Sequence, residues 1–122
     1  MHKNECEIWD TVKALEGKTI ETLVNKSPNC IEFIEDTGQD IDKVIIKDRK
    51  TKPVRKDVIN AYKILISKGE LDRAGDLIHL SDVNKKTSSI IFAVVFNIAL
   101  NDVDLVKRGR RTIIVLKNRI LV

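Results

Sequence analysis

The stretch TSSIIFAVVFNIALNDVDLVKRGRRTIIVLK, running from Thr87 to Lys117, decides the fold. Its first part places Ile90, Ile91, Phe92, Val94, Val95, Phe96 and Ile98 around a helix, leaving only Ser89, Ala93 and Asn97 as a narrow stripe. A helix apolar on nearly every side has to be buried against several partners. Thr87 or Ser88 is placed to cap it, and it runs to about Leu100. Asn101 and Asp102 then turn the chain into two apolar runs on either side of Gly109, the pattern of a β-hairpin. Lys107, Arg108, Arg110 and Arg111 crowd its tip.

Upstream, Asp57 to Lys68 carries Val58, Ala61, Tyr62 and Leu65 at helical spacing and stops at Gly69. A second short helix is expected over Leu71 to Ile78, joined to the buried helix by LSDVNKKT. Three helices followed by a hairpin is the element order of a winged helix, in which a helix-turn-helix pair precedes a β wing. In that order a basic wing tip reaches phosphates beside the groove entered by the preceding helix.

The N-terminal part has a different period. Asn4 and Glu7 are spaced as a capping box, and Ile8, Val12 and Leu15 follow at i, i+4 and i+7 before Gly17 ends a short amphipathic helix. Trp9 lies beside this stripe, placed to pack under the strands that follow. KTIETLV, CIEFIED and KVIIKD are rich in β-branched residues and separated by the turn-forming NKSPN and TGQD. Three antiparallel strands are expected, with Ile20, Leu23, Ile31, Phe33, Val44 and Ile46 facing inward. Pro53 ends the basic connection KDRKTKP that leads into the second half.

With 122 residues, the chain suits a single domain, 1–122, made of a helix-plus-sheet lobe (1–52) and a winged-helix-like lobe (53–122). Its 43% hydrophobic and 33% charged content fits an ordered globular protein. The most apolar window, Ile90 to Leu100, is far shorter than the roughly 20 residues that cross a bilayer. The opening MHKNECEIWD carries acids where a secretory signal needs a basic start and an apolar run, which points to the cytoplasm. Cys6 and Cys30 belong to no CxxC or Cys/His cluster, so two buried, reduced thiols are expected rather than zinc or a disulfide.

Charge is distributed unevenly. Residues 1–42 hold 4 Lys/Arg against 10 Asp/Glu, whereas residues 43–73 hold 10 against 4. Residues 74–100 balance, and residues 101–122 hold 6 against 2. Two basic blocks therefore flank a neutral, apolar segment, and a fold that joins them would present one surface to an anionic polymer.

Catalytic chemistry finds little purchase. His2 and His79 have no neighbours that make a triad or a metal site, and no glycines take a phosphate-loop spacing. Asp36 with Asp48, Arg49 and Lys50 after the strand VIIK has the makings of a metal-nuclease pattern, but so charged a chain supplies such a pattern by chance. No catalytic residue, metal or cofactor is expected.

The segment IWDTVKALEGKTIETL resembles a motif, approximately W-x-x-V-x-x-L-x-G-x-x-I-x-T-L, of small accessory domains found alone or attached to restriction-type endonucleases in bacteria and archaea. Trp9, Val12, Leu15, Gly17, Ile20, Thr22 and Leu23 carry the match. VRKDVINAYKIL, SKGEL and TSSIIFAVVFNIAL look like that family's basic helix, Gly-Glu-Leu turn and last apolar helix. Most of these positions are packing residues. The resemblance implies an accessory, DNA-associated module whose nuclease chemistry resides in another domain.

The expected protein is thus an α+β, non-enzymatic nucleic-acid-binding module that contacts double-stranded DNA through phosphates. Lys107, Arg108, Arg110 and Arg111 are its expected contacts, assisted by Lys85 and Lys86, with Arg49, Lys50, Lys52 and Arg55 as a second region. The alternative is a protein-interaction or homodimerisation module using the apolar third helix and the C-terminal strand, which ends in Ile120, Leu121 and Val122.

Overall fold

In a computed structural model, which describes residues 4–80 and 85–117 apart from the side chains of His79 and Lys85, Asn4 opens the first helix. Its side-chain oxygen accepts from the Glu7 N–H at 2.9 Å, and the Glu7 carboxylate accepts in return from the Asn4 N–H at 3.3 Å. This reciprocal cap satisfies two N–H groups that a helix start leaves without partners. Helix α1 (Glu5–Lys13) buries Ile8, Trp9 and Val12. The chain then turns through Gly17, at φ +83°, into an antiparallel sheet of β1 (Thr19–Glu21), β2 (Pro28–Ile34) and β3 (Val44–Ile46), in that spatial order.

Phe33 does not face inward as its alternation predicts. The β2–β3 register shifts between Ile31 and Phe33, so Ile31 opposes Ile46 while Phe33 opposes Ile45. A bulge of this kind reverses which residues face the core downstream of it. Phe33 is left 53% exposed, and Ile34 takes the buried place. The thiols also depart from expectation: Cys6 is exposed and Cys30 only half-buried.

Helix α2 (Arg55–Lys68) ends at Gly69, which caps it in the left-handed region at φ +80°. The next segment is not the helix expected over Leu71 to Ile78. Strand β4 (Glu70–Asp72) comes first, then a turn and a single 3-10 turn, Leu77–His79. Asp76 explains the break, because its carboxylate accepts from the Asp72 N–H at 2.8 Å and from Lys68 at 2.7 Å. The Ala74 N–H in turn donates to the Asp72 carboxylate at 3.1 Å. Aspartate side chains that take up backbone N–H groups compete with helix and favour turns.

Helix α3 (Lys85–Ile98) begins earlier than expected, so Thr87 and Ser88 lie inside its first turns and are buried rather than capping it. After a 3-10 turn, Leu100–Asp102, strands β5 (Val103–Arg108) and β6 (Arg111–Leu116) form the hairpin. The second sheet has the order β4-β6-β5, all antiparallel.

The architecture of the described residues is therefore α+β, with three helices and two small antiparallel sheets. One apolar cluster joins both halves: Trp9 from α1, Ile31 from the first sheet, Leu65 from α2, Phe92 from α3 and Ile114 from the second sheet. Helix α3 packs on α1, α2 and β1, and Ile90 to Val95 are buried without interruption. Each Ile, Phe and Val side chain there contributes roughly 1.5–3 kcal/mol by leaving water. Among the described residues no helix is long and apolar enough to cross a membrane.

Candidate nucleic-acid interface

The hairpin tip is built by Gly109 at φ +64°, between the opposed pair Arg108 and Arg111. Its four cations are not equivalent. Arg108 is ion-paired with Glu70, and Arg111 with Asp72 at 2.9 Å. Both acids belong to β4, where they flank the buried Leu71 and so share the opposite face of the strand. Lys107 and Arg110 are exposed and make no ion pair with any described residue.

Strand register fixes where this tip points. Ile113 of β6 opposes Asp72, the last residue of β4, so Arg111 and the tip project beyond the end of β4 from which the chain continues into Arg73. The Arg73 guanidinium donates to the Ser88 hydroxyl at 3.4 Å, in the first turns of α3. The tip, Arg73 and the start of α3 therefore lie toward one end of the second half.

At that end Arg73 enters a cleft of about 430 Å³ together with Arg49 and Lys86. Arg49 arrives from the turn after β3, where Asp48 takes the left-handed region at φ +61° and the Arg49 N–H donates to the Ile46 carbonyl at 3.2 Å. The β1–β2 turn also lines the cleft. There Lys26 N–H donates to the Thr22 carbonyl, and Ser27 N–H to the Thr22 hydroxyl, each at 3.0 Å. Leu23, Val24, Ile90 and Phe92 supply an apolar side. Two cations of the first basic block, Arg49 and Arg73, thus meet Lys86 of the neutral segment in this cleft, and none of its lining comes from the second block.

Other expected contacts are placed elsewhere. Lys52 lines a separate cleft of about 290 Å³ with Lys56 and Asp40, and Lys50 is exposed in the connecting loop. Lys85 opens α3, but its side chain lies outside the described residues, as do His2, His79 and Ile120, Leu121 and Val122. Arg73 was missed by sequence reasoning because it fell within the supposed helix Leu71 to Ile78. A strand ending in a short acidic turn, ELDRAGD, was the signal available for it.

Arg55 is the clearest departure. It is only 6% exposed and sits over the Trp9 ring, 5.5 Å from the centroid, with Asp36 at 3.6 Å and Asp42 at 3.5 Å. A guanidinium enclosed by a ring and two carboxylates is a packing element, not a phosphate contact. Burial pushes the Asp42 carboxyl up, but hydrogen bonds from the Thr37 hydroxyl and from the backbone of Thr37, Gly38 and Gln39 outweigh it and hold the group below the ordinary carboxylate range. The indole N–H of Trp9 donates to the Glu35 carbonyl at 2.9 Å, joining α1 to the end of β2.

Asp36, half of the nuclease-like pattern, is engaged by Lys13 at 2.9 Å as well as by Arg55. Among the described residues no three His, Cys, Asp or Glu converge as a metal site. The apolar residues of α3 from Ile90 to Val95 are buried within the chain, Ile90 and Phe92 keeping only a sliver of surface at the cleft. No protein-family model, curated protein or solved structure matches the chain. What the site can do is set by its chemistry: two cations on a projecting hairpin with no ion pair among the described residues, and three more in a cleft.

Proposed function

We propose that the chain is a non-enzymatic accessory module that binds double-stranded DNA through backbone phosphates, its second half from α2 to β6 working as a winged helix. The observation that carries this reading is the common placement of Lys107, Arg110, Arg73 and Lys86 toward one end, none of them ion-paired among the described residues. Lysine and arginine so placed release counterions when they meet phosphates. The connectivity supports the same reading, because α3 lies between β4 and the hairpin and the sheet order is β4-β6-β5.

In this assignment Arg108 and Arg111 brace the wing through Glu70 and Asp72, while Lys107 and Arg110 reach the duplex. Arg49 extends the basic surface through the cleft, Lys50 is exposed next to it in the chain, Lys52 lines a separate cleft, and Arg55 takes no part. Helix α3 has few polar side chains to read base edges, so binding is expected to be nearly independent of sequence. The resemblance of the N-terminal motif suggests that such a module serves a restriction-type nuclease carried elsewhere. The test is binding of a labelled duplex of about 20 base pairs at low salt: affinity that collapses on raising the salt supports the reading, and no binding at low salt contradicts it.

A homodimer is the second reading, favoured by one observation. Strand β5 is an edge of its sheet and is exposed from Asp104 to Arg108, with Leu105 and Val106 each 37% exposed. Unpaired strand edges accept a further strand. Sedimentation at micromolar concentration decides it, since a strict monomer counts against edge pairing.

A further inference from the structure

We propose that the cleft bounded by Arg49, Arg73 and Lys86 is a pocket for a nucleoside phosphomonoester, presented at the 5′ end of a DNA strand or as a free nucleotide. The inference deepens the DNA-binding reading, and its strand-end form rests on it.

Three features separate this cleft from a surface that merely follows a duplex. First, its volume of about 430 Å³ lies within the roughly 300–1,000 Å³ of small-ligand sites and suits a single nucleotide. Second, three cations converge there without an ion pair among the described residues. A backbone diester offers one negative charge, whereas a terminal monoester carries about −1.5 to −2 at neutral pH. Two guanidiniums and one ammonium match the latter, the arginines through their forked donors.

Third, the pocket has an apolar side. Val24 is 58% exposed at the rim, Leu23 is half-buried, and Ile90 and Phe92 close the interior. An exposed valine next to three cations is poorly suited to a bare phosphate but provides contact for a sugar or a base face. The hydrogen-bonded turn from Thr22 to Ser27 holds this wall in place before a ligand arrives.

The experiment compares duplexes that differ only in a 5′-phosphate or 5′-hydroxyl, at matched salt, and includes a nucleoside 5′-monophosphate as competitor. The phosphorylated duplex is expected to bind on the order of tenfold more tightly, the gain of an added charge-assisted hydrogen bond. In Arg49→Ala/Arg73→Ala, and separately in Lys86→Ala, that preference shrinks toward unity, with circular dichroism reporting the fold. Lys107→Ala/Arg110→Ala weakens both duplexes alike and keeps the preference. A free nucleotide that binds in the wild type and not in the cleft variants, with no preference between the duplexes, supports the pocket and makes the free nucleotide its ligand. Equal binding of the duplexes together with no nucleotide binding overturns the pocket and leaves the DNA reading standing. Nucleotide binding without any duplex binding overturns the DNA reading and leaves the pocket standing, and binding of neither overturns both.

Discussion

Arg111 donates to Asp72 at 2.9 Å across the second sheet, so the most basic turn of the chain is partly neutralised by the strand beside it. Arg108 does the same with Glu70. Of the hairpin's four cations, two are thus paired with β4 and two, Lys107 and Arg110, have no ion pair among the described residues.

That division has a measurable consequence. Lys107→Ala/Arg110→Ala should weaken duplex binding with little change in stability, because neither side chain holds the fold together. Arg108→Ala/Arg111→Ala should lower stability by roughly 0.2–1 kcal/mol per exposed pair and weaken binding less. Chemical denaturation and fluorescence anisotropy on both variants check the split, and identical binding losses would contradict it.

Arg55 belongs to the core by the same test. Arg55→Ala leaves Asp36 and the buried Asp42 without their guanidinium and uncovers Trp9, and should cost about 3–5 kcal/mol, the usual cost of breaking a buried pair. Under conditions where the variant remains folded, its affinity for duplex should be unchanged. A folded Arg55→Ala protein that no longer binds DNA would return Arg55 to the interface.

The bulge in β2 makes neighbouring residues behave oppositely. Phe33→Ser should change stability by no more than about 0.5 kcal/mol, whereas Ile34→Ala should cost roughly 2–5 kcal/mol. Urea denaturation of the two variants checks the register, and the reverse order would mean that Phe33 is the inward residue.

Asp42 ties stability to pH. Its folded-state pKa lies below the ordinary 3.8, so its contribution is present above that value and is lost as pH falls through the lower, folded one. Asp42→Asn should be less stable at neutral pH and lose less on acidification below about pH 4, the range in which the unfolded carboxyl takes up its proton. Thermal melts from neutral pH down to acid check this, and parallel pH profiles for the two proteins would contradict it.

Much of the fold was legible because local and global signals agree. Asn4 and Glu7 cap α1, Gly69 ends α2 in the left-handed region, and Gly109 turns the hairpin, each a position where backbone chemistry leaves little choice. The misses are places where a tertiary contact overrides the pattern. Leu71 has neighbours compatible with helix, but pairing with Ile114 and the carboxylate of Asp76 draw it into a strand and turn. Phe33 obeys strict alternation until the register slips beside it. In the site, the charge of Arg55, Arg108 and Arg111 was readable, but their partners were not: Asp36, Glu70 and Asp72 reach them only in the folded chain. Arg49 and Lys86, 37 positions apart, meet in one cleft for the same reason.

The most direct test of the central claim is the log-log salt dependence of duplex affinity for the wild type and for Arg73→Ala/Lys86→Ala/Lys107→Ala/Arg110→Ala. If these four cations meet phosphates on one duplex, the wild-type slope is several units and the variant's is shallower by about 0.9 for each contact removed, between three and four in all. A variant slope equal to the wild type's would mean that these residues do not touch the duplex, contradicting the account.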